Sequence, residues 1–280
     1  MRFQAMAGIV TYNPDPDDLS KSVPALAQQL DRLVIVDNGS DNLPLIRDAL
    51  KPFPQVLLIE NTKNEGIAKA LNQIFTWGRA HGYTWILTLD DDSEIPPSMM
   101  REYEDYLEGC AQNVGIVCPL LKNRRDKVVF HSKRSEDECI TSGSLTRVAA
   151  WEAIGGFDEW LFIDGVDFDF SRRMVRAGYE IHECTSVIMP HQIGQSRSIN
   201  VLGRHPIIWN HSASRQFYIQ RNSPYIDFKL GTYSPIKARA RFLKDLVFIL
   251  IWEDEKWAKI SAMVRGWRAG MRKIRQMHSK

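Results

Sequence analysis

Four short apolar runs recur early in the chain: AMAGIVTY at 5–12, RLVIVD at 32–37, QVLLIEN at 55–61 and TWILTLD at 84–90. They are β-branched and continuous, not alternating, as strands buried on both faces must be. Between them lie LSKSVPALAQQL, LPLIRDAL and GIAKALNQIFTWGRA. In the last, Ile67, Ala70, Leu71, Ile74 and the Trp77/Gly78 pair recur at helical spacing. This β-α-β-α-β-α-β order predicts an α/β fold with a mostly parallel sheet flanked by helices and right-handed crossovers. VGIVCPLL at 114–121 predicts a fifth strand. The pattern then loosens, and from Ser234 it turns helical to the end. The expected organisation is a catalytic domain over 1–233, with halves of about 1–120 and 121–233, and a helical appendage over 234–280.

Each early run ends in polar residues: Tyr12-Asn13-Pro14, Asp37-Asn38-Gly39, the stretch from Asn61 to Asn64, and Asp90-Asp91-Asp92. Turn chemistry alone favours Asn, Asp and Gly at such places. Four clusters at the ends of parallel strands, however, share the sheet edge where open α/β proteins bind ligands.

Charge adds one feature. Across 280 residues the formal net charge is only +2, but residues 237–280 hold 12 Lys/Arg against 4 Asp/Glu, leaving 24 against 30 elsewhere. A slightly acidic body carries a basic tail. The four cysteines have neither C-x-x-C nor metal-finger spacing, which fits reduced thiols in a cytoplasmic protein. The N-terminal residues have no signal-peptide pattern, and the longest purely apolar run, LVFILIW, falls far short of a membrane span.

Three adjacent carboxylates behind a buried strand need a positive partner, because two unit charges roughly 4 Å apart cost about 4 kcal/mol at an effective dielectric of 20. Carboxylate oxygens suit Mg²⁺ or Mn²⁺, and a cation held by one or two of them completes its shell with water and substrate phosphate. The ligand implied is a metal-bound nucleotide diphosphate. No G-x-G-x-x-G or G-x-x-x-x-G-K-[ST] stretch is present, which argues against dinucleotide enzymes and P-loop NTPases.

VTYNP, VDNGSD, NEGIAKALN, TLDDDS, GGFDE, FIDGVDFDFSRR and PHQIG stand in the order and spacing of inverting family-2 glycosyltransferases, which the chain resembles from about residue 5 to 222. LDDDS, IDGVDFDFSRR, RQFYIQRN and HQIG are most similar to the bacterial rhamnosyltransferase branch. The resemblance implies the GT-A (Rossmann-like) fold and a dTDP-rhamnose donor. It also implies a glycan or lipid-linked glycan acceptor of a bacterial cell-surface polysaccharide. It places Thr11 and Tyr12 at the pyrimidine, Asp37 on the imide N–H, Asn64 and Lys69 near the nucleotide, and Asp90 and Asp91 at the ribose or loop. Asp92 and His191 would meet the metal–diphosphate, and Asp167 would be the catalytic base. Many relatives have Glu-Asp where this chain has Val166-Asp167, with Asp164 and Asp169 alongside as acids that could equally cap a helix or pair with Arg172 or Arg173. The small residues Thr141–Ser144 fit either a donor-sugar pocket or a plain turn. His131, His205 and His211 have no ligand spacing.

The alternatives are a family-2 enzyme using a UDP-sugar such as UDP-galactose or UDP-N-acetylglucosamine, and a sugar-nucleotide nucleotidyltransferase. The latter should carry a Gly-rich, basic loop after the first strand, where this chain has VTYNPDPDD. A two-carboxylate glycosidase would need no nucleotide. Nucleic-acid binding is disfavoured because the tail's cations alternate with apolar residues. There, Trp257, Ile260, Val264, Trp267, Met271 and Ile274 fall at helical intervals, with Lys259, Arg265, Arg268, Arg272, Lys273 and Arg275 between them. Such a helix suits either the cytoplasmic face of an anionic membrane or packing on the catalytic domain or another subunit.

Overall fold

All four early apolar runs form strands. The computed structural model describes residues 3–110, 112–124, 127–191, 197–198, 207–208 and 210–278, with the backbone alone for 191, 197–198 and 207–208. In chain order the elements are β1 (Ala5–Thr11), α1 (Pro16–Ala27), β2 (Leu33–Asp37), α2 (Leu43–Leu50), β3 (Val56–Glu60), α3 (Ile67–Ala80), β4 (Trp85–Asp90) and α4 (Met99–Glu108). They continue with β5 (Val114–Asn123), β6 (Val129–His131), β7 (Lys133–Ser135), β8 (Glu138–Cys139), β9 (Ser144–Arg147), α5 (Val148–Ala153), α6 (Val166–Arg176) and β10 (Glu180–His191).

β1 pairs in parallel with β2 on one side and β4 on the other, and β2 with β3. The register sets Thr11 beside Asp37, Asp37 beside Glu60, and Val10 beside Asp90. The polar strand ends therefore do share one edge. Behind them Ile9, Leu33, Ile35 and Leu87 are fully buried. At about 1.5–3 kcal/mol for each such side chain, this layer is the main source of rigidity beneath the edge.

The fifth strand is not a neighbour of the fourth. The strand order is β10-β5-β9-β4-β1-β2-β3, with β6 paired to β5. β9 runs antiparallel between β4 and β5, with Thr88 opposite Ser144 and Leu145 shared between Leu87 and Val117. Four residues, SLTR, carry too little pattern to predict a strand; only the two flanking ladders make one. Because β9 runs backwards, the segment preceding it (141–143) lands at the carboxyl end of β4.

The chain divides into two compact units: Met1–Phe162 with Val166–Gln192, and Ile163–Gly165 with Ile193–Lys280. In the second lie a short antiparallel pairing of 197–198 with 207–208, and the helices α7 (Ala213–Lys229), α8 (Pro235–Trp252) and α9 (Lys256–His278). α7, expected with the sheet on the 1–233 side, packs along α9. A Cβ on Gly266 would come 2.1 Å from the Phe217 carbonyl oxygen, and one on Gly270 would come 2.4 Å from that of Arg221. Two glycines one helical turn apart thus let the backbones touch.

Of the two readings of the tail stripe, packing on protein accounts for most of it. Ala262, Met263, Gly266, Gly270 and Ile274 are the buried face of α9. Trp267 packs on Phe242 of α8, and Met271 takes a contact from the Tyr233 hydroxyl. Of the six stripe residues only Trp257, at 81% exposure, stands out in solvent. Lys259, expected among the outward cations, is 2% exposed and paired with Glu253 at 3.0 Å. The periodicity was right for a helix but left out the glycines, which mark where a partner helix sits. Among the described residues no helix is long and apolar enough to cross a membrane.

Candidate active site

Thr11 and Asp37 lie fully buried at the ends of β1 and β2. The Thr11 hydroxyl donates to Asp37 Oδ1 at 3.1 Å, and the Gly39 and Ser40 N–H groups donate to Oδ2 at 3.2 and 3.0 Å. The Ser40 hydroxyl donates to Oδ1 at 2.5 Å. Both oxygens of Asp37 are therefore engaged in shaping its own loop. Gly39 has φ +83°, and a Cβ there would lie 2.6 Å from the Lys63 backbone, so the turn admits only glycine.

Asn38 ties this loop to the one after β3. Its amide donates to Asn64 Oδ1 at 3.0 Å, while its Oδ1 accepts from Asn61 at 3.1 Å and from the Glu65 N–H at 3.0 Å. Asn64 Oδ1 also accepts from the Gly66 N–H at 2.9 Å, just before α3. Asn64 is thus a structural link as well as an edge residue. Lys69, in the first turn of α3, pairs with Glu65 at 3.0 Å. Tyr12 is 52% exposed at the mouth of the edge.

Asp90, Asp91 and Asp92 end β4 with half-buried side chains. Burial and the charges of Asp92 and Asp90 push the Asp91 carboxyl up to about 6, against hydrogen bonding from the Tyr12 backbone. An all-oxygen donor set short of positive charge fits a hard divalent cation. Among the described residues no three His, Cys, Asp or Glu side chains form a closed cage. The Asp92 carbonyl accepts from Arg124 at 2.5 Å, which pins the loop by its backbone and leaves the carboxylate out of that contact. His191 ends β10, and its side chain lies outside the described residues, as does all of His205.

The segment 141–144 is held against this loop. Thr88 Oγ1 donates to the Thr141 carbonyl at 2.7 Å, and the Ser93 and Ser142 hydroxyls meet at 3.2 Å. The buried Tyr103 hydroxyl donates to the Gly143 carbonyl at 2.7 Å. Gly143 has φ +79°, and a Cβ would press on Met189 and Pro119 at 2.9 Å. Asp167, in the first turn of α6, accepts from the Thr141 N–H. Burial, then the nearby charge of Asp90, raises its carboxyl to about 6, with the Arg134 cation pulling it down. Arg134 itself lies over the Phe168 ring at 4.8 Å.

The three acids of IDGVDFDF thus have distinct surroundings. Asp169 is fully buried and paired with Arg173 at 2.8 Å. Asp164, in the second unit, receives Arg215 Nε at 2.8 Å. Arg172 turns instead to Glu138. Asp167 alone of the three has a backbone amide and the charge of Asp90 as its principal neighbours. Sequence reasoning undervalued Thr141–Ser144 and passed over Arg134 and Arg124. Small residues and isolated arginines carry no spacing signal, and only the reversed β9 brings 141–144 to the edge.

Comparisons with known proteins identify the family and the fold. Residues 7–169 match the model of glycosyl transferase family 2. Over 242 residues the chain is 29% identical to the dTDP-rhamnosyl transferase RfbF of Shigella flexneri, covering 80% of this chain and 79% of that protein. It is 23% identical over 252 residues to the galactofuranosyltransferase GlfT1 of Mycobacterium tuberculosis, covering 80% and 82%. Among solved structures, S. aureus TarS 1–349 in complex with UDP-GlcNAc superposes with a TM-score of 0.60 at 14% identity, over 97% of this chain and 82% of that one. GalNAc-T7 with UDP, GalNAc and Mn²⁺ superposes with a TM-score of 0.59 at 13% identity, over 87% and 54%. The likenesses bear out the GT-A sheet with its C-terminal helices. The matched family segment runs from β1 through the Asp90–Asp92 loop to α6, and the chain belongs to glycosyl transferase family 2.

Proposed function

We propose that the protein transfers L-rhamnose, with inversion, from dTDP-L-rhamnose to a glycan or lipid-linked glycan of a bacterial cell surface. The observation that carries the chemistry is the meeting of two groups at one sheet edge: an acidic loop at Asp90–Asp92, and Asp167 close enough to feel Asp90. The donor assignment draws its support from the RfbF relative.

In this reading Thr11 and Tyr12 border the pyrimidine. Asp37 takes the imide N–H by releasing one of its two side-chain hydroxyl partners, Thr11 or Ser40, while the Gly39 and Ser40 N–H groups stay in place. Asn64 and Lys69 line the nucleotide, and Asp90 and Asp91 hold the ribose side of the loop. Asp92 and His191 would hold Mg²⁺ or Mn²⁺, which would supply positive charge to the leaving diphosphate. Asp167 removes the proton from the acceptor hydroxyl as its oxygen bonds to the anomeric carbon. The bond from that carbon to the diphosphate breaks, and dTDP leaves with the electron pair. A carboxyl raised to about 6 is largely ionised at neutral pH yet more basic than an ordinary aspartate, which suits it to that proton. A membrane-borne acceptor would call for cytoplasmic, peripheral attachment through 234–280.

The test is donor-dependent release of nucleoside diphosphate with Mn²⁺ and a lipid-linked acceptor, comparing dTDP-rhamnose, UDP-galactose, UDP-galactofuranose and UDP-N-acetylglucosamine. dTDP-rhamnose should give the highest kcat/KM. Preference for a UDP-sugar would replace the donor and leave the base and cation roles standing.

A further inference from the structure

We infer that the outward face of α8 docks the protein on an anionic lipid surface. On this helix Ile236, Leu243, Val247, Leu250 and Ile251 are exposed by 79%, 58%, 49%, 42% and 56%. At 3.6 residues per turn these five fall within an arc of roughly 100°. Lys237 and Lys244 border the arc on one side and Arg239 on the other, all exposed. The opposite face is already satisfied within the second unit. There Ala238 and Ile249 are buried, Arg241 reaches Asp227 at 3.2 Å, and Asp245 accepts from Gln220 at 2.8 Å.

Five large apolar side chains in solvent are costly without a partner. Charge selects the partner. A second copy packed in the parallel sense would bring Lys237, Arg239 and Lys244 against the same cations, and an antiparallel copy is distinguished by the test below. The only acid of α8, Asp245, faces inward. An apolar stripe edged by cations matches the boundary between acyl chains and anionic headgroups, where lysine and arginine reach outward past their own stems. The surface is α8, not the α9 stripe, most of which is covered within the second unit. The inference depends on the transfer reading only for its biological sense, since the docking face shares no residue with the nucleotide edge.

The test is co-sedimentation of the full chain with vesicles of phosphatidylglycerol and phosphatidylcholine, against phosphatidylcholine alone. The full chain should pellet with the anionic vesicles and remain soluble with the neutral ones. Leu243→Glu with Val247→Glu should abolish pelleting. Lys237→Gln, Arg239→Gln and Lys244→Gln together should weaken it roughly 100-fold. Thermal melting of each variant shows that it is folded. Failure of the wild type to pellet, or pelleting unchanged by both variants, overturns the inference. So does a dimer in light scattering that Val247→Glu splits, which would assign the face to a second copy. Transfer to a soluble acceptor, run in parallel, fails alone if the reaction is wrong and persists if only the docking is wrong.

Discussion

Replacing Asp167 by Asn should make the enzyme slower and the fold more stable. The carboxyl rises from its ordinary 3.8 to about 6 because burial and Asp90 disfavour its charge. At neutral pH that rise corresponds to about 3 kcal/mol held against folding. The group is only half-buried, so screening reduces the figure. Asn also forfeits one acceptor oxygen where Asp167 takes both the Thr141 and its own N–H. The net gain should be about 1–2 kcal/mol, or a rise in Tm of roughly 2–6 °C. The pH dependence follows from the raised value. Below about 3 both folded and unfolded chains carry the proton, so variant and wild type melt alike. As pH climbs from there to about 6 the unfolded aspartate ionises first, wild-type stability declines, and the advantage of Asn grows to its full size. Differential scanning calorimetry without donor or cation, at pH 3 and pH 7, measures this. Turnover should fall 10²–10⁴-fold with dTDP binding nearly unchanged. A lowered Tm at pH 7, or full activity, would refute the assignment, and activity lost in Asp164→Asn or Asp169→Asn but not Asp167→Asn would move the base.

Asp92→Ala should abolish cation-dependent dTDP binding in a thermal-shift titration while changing intrinsic stability by under about 0.5 kcal/mol, since only its carbonyl meets Arg124; full activity in excess EDTA would contradict it. Gly266→Ala should cost about 1–3 kcal/mol despite alanine's better helix propensity, because the new Cβ meets the Phe217 carbonyl; urea unfolding decides. Lys259→Ala, which strands Glu253 in a buried site, should cost about 3–5 kcal/mol, and the double variant Lys259→Met with Glu253→Leu clearly less.

The sequence by itself determined the four parallel strands, because short continuous apolar runs alternating with helical patterns fit a parallel sheet, although β3, at the sheet edge, is only partly buried. It also determined that their polar ends share an edge, since parallel crossovers point every carboxyl end the same way. The Asp90–Asp92 cluster stood out for a chemical reason, since carboxylates crowded at a strand end need a counter-charge, whereas Asp167 was singled out from Asp164 and Asp169 only by the family resemblance. What only the tertiary structure decided depends on pairing partners that local pattern does not encode. The four residues of β9 become a strand by being clasped between β4 and β5, and that reversal carries Thr141 to Asp167. Of the acids at 164, 167 and 169, spacing could not say which would meet an arginine; Asp164 and Asp169 did, leaving Asp167 by Asp90. In the tail, periodicity identified helices but not which face would be covered. Gly266 and Gly270, invisible to a hydrophobicity pattern, let α7 approach and spend the α9 stripe inside the protein. The exposed apolar face therefore fell to α8, whose FLKDLVFILIW stretch suited packing or a lipid boundary equally by sequence.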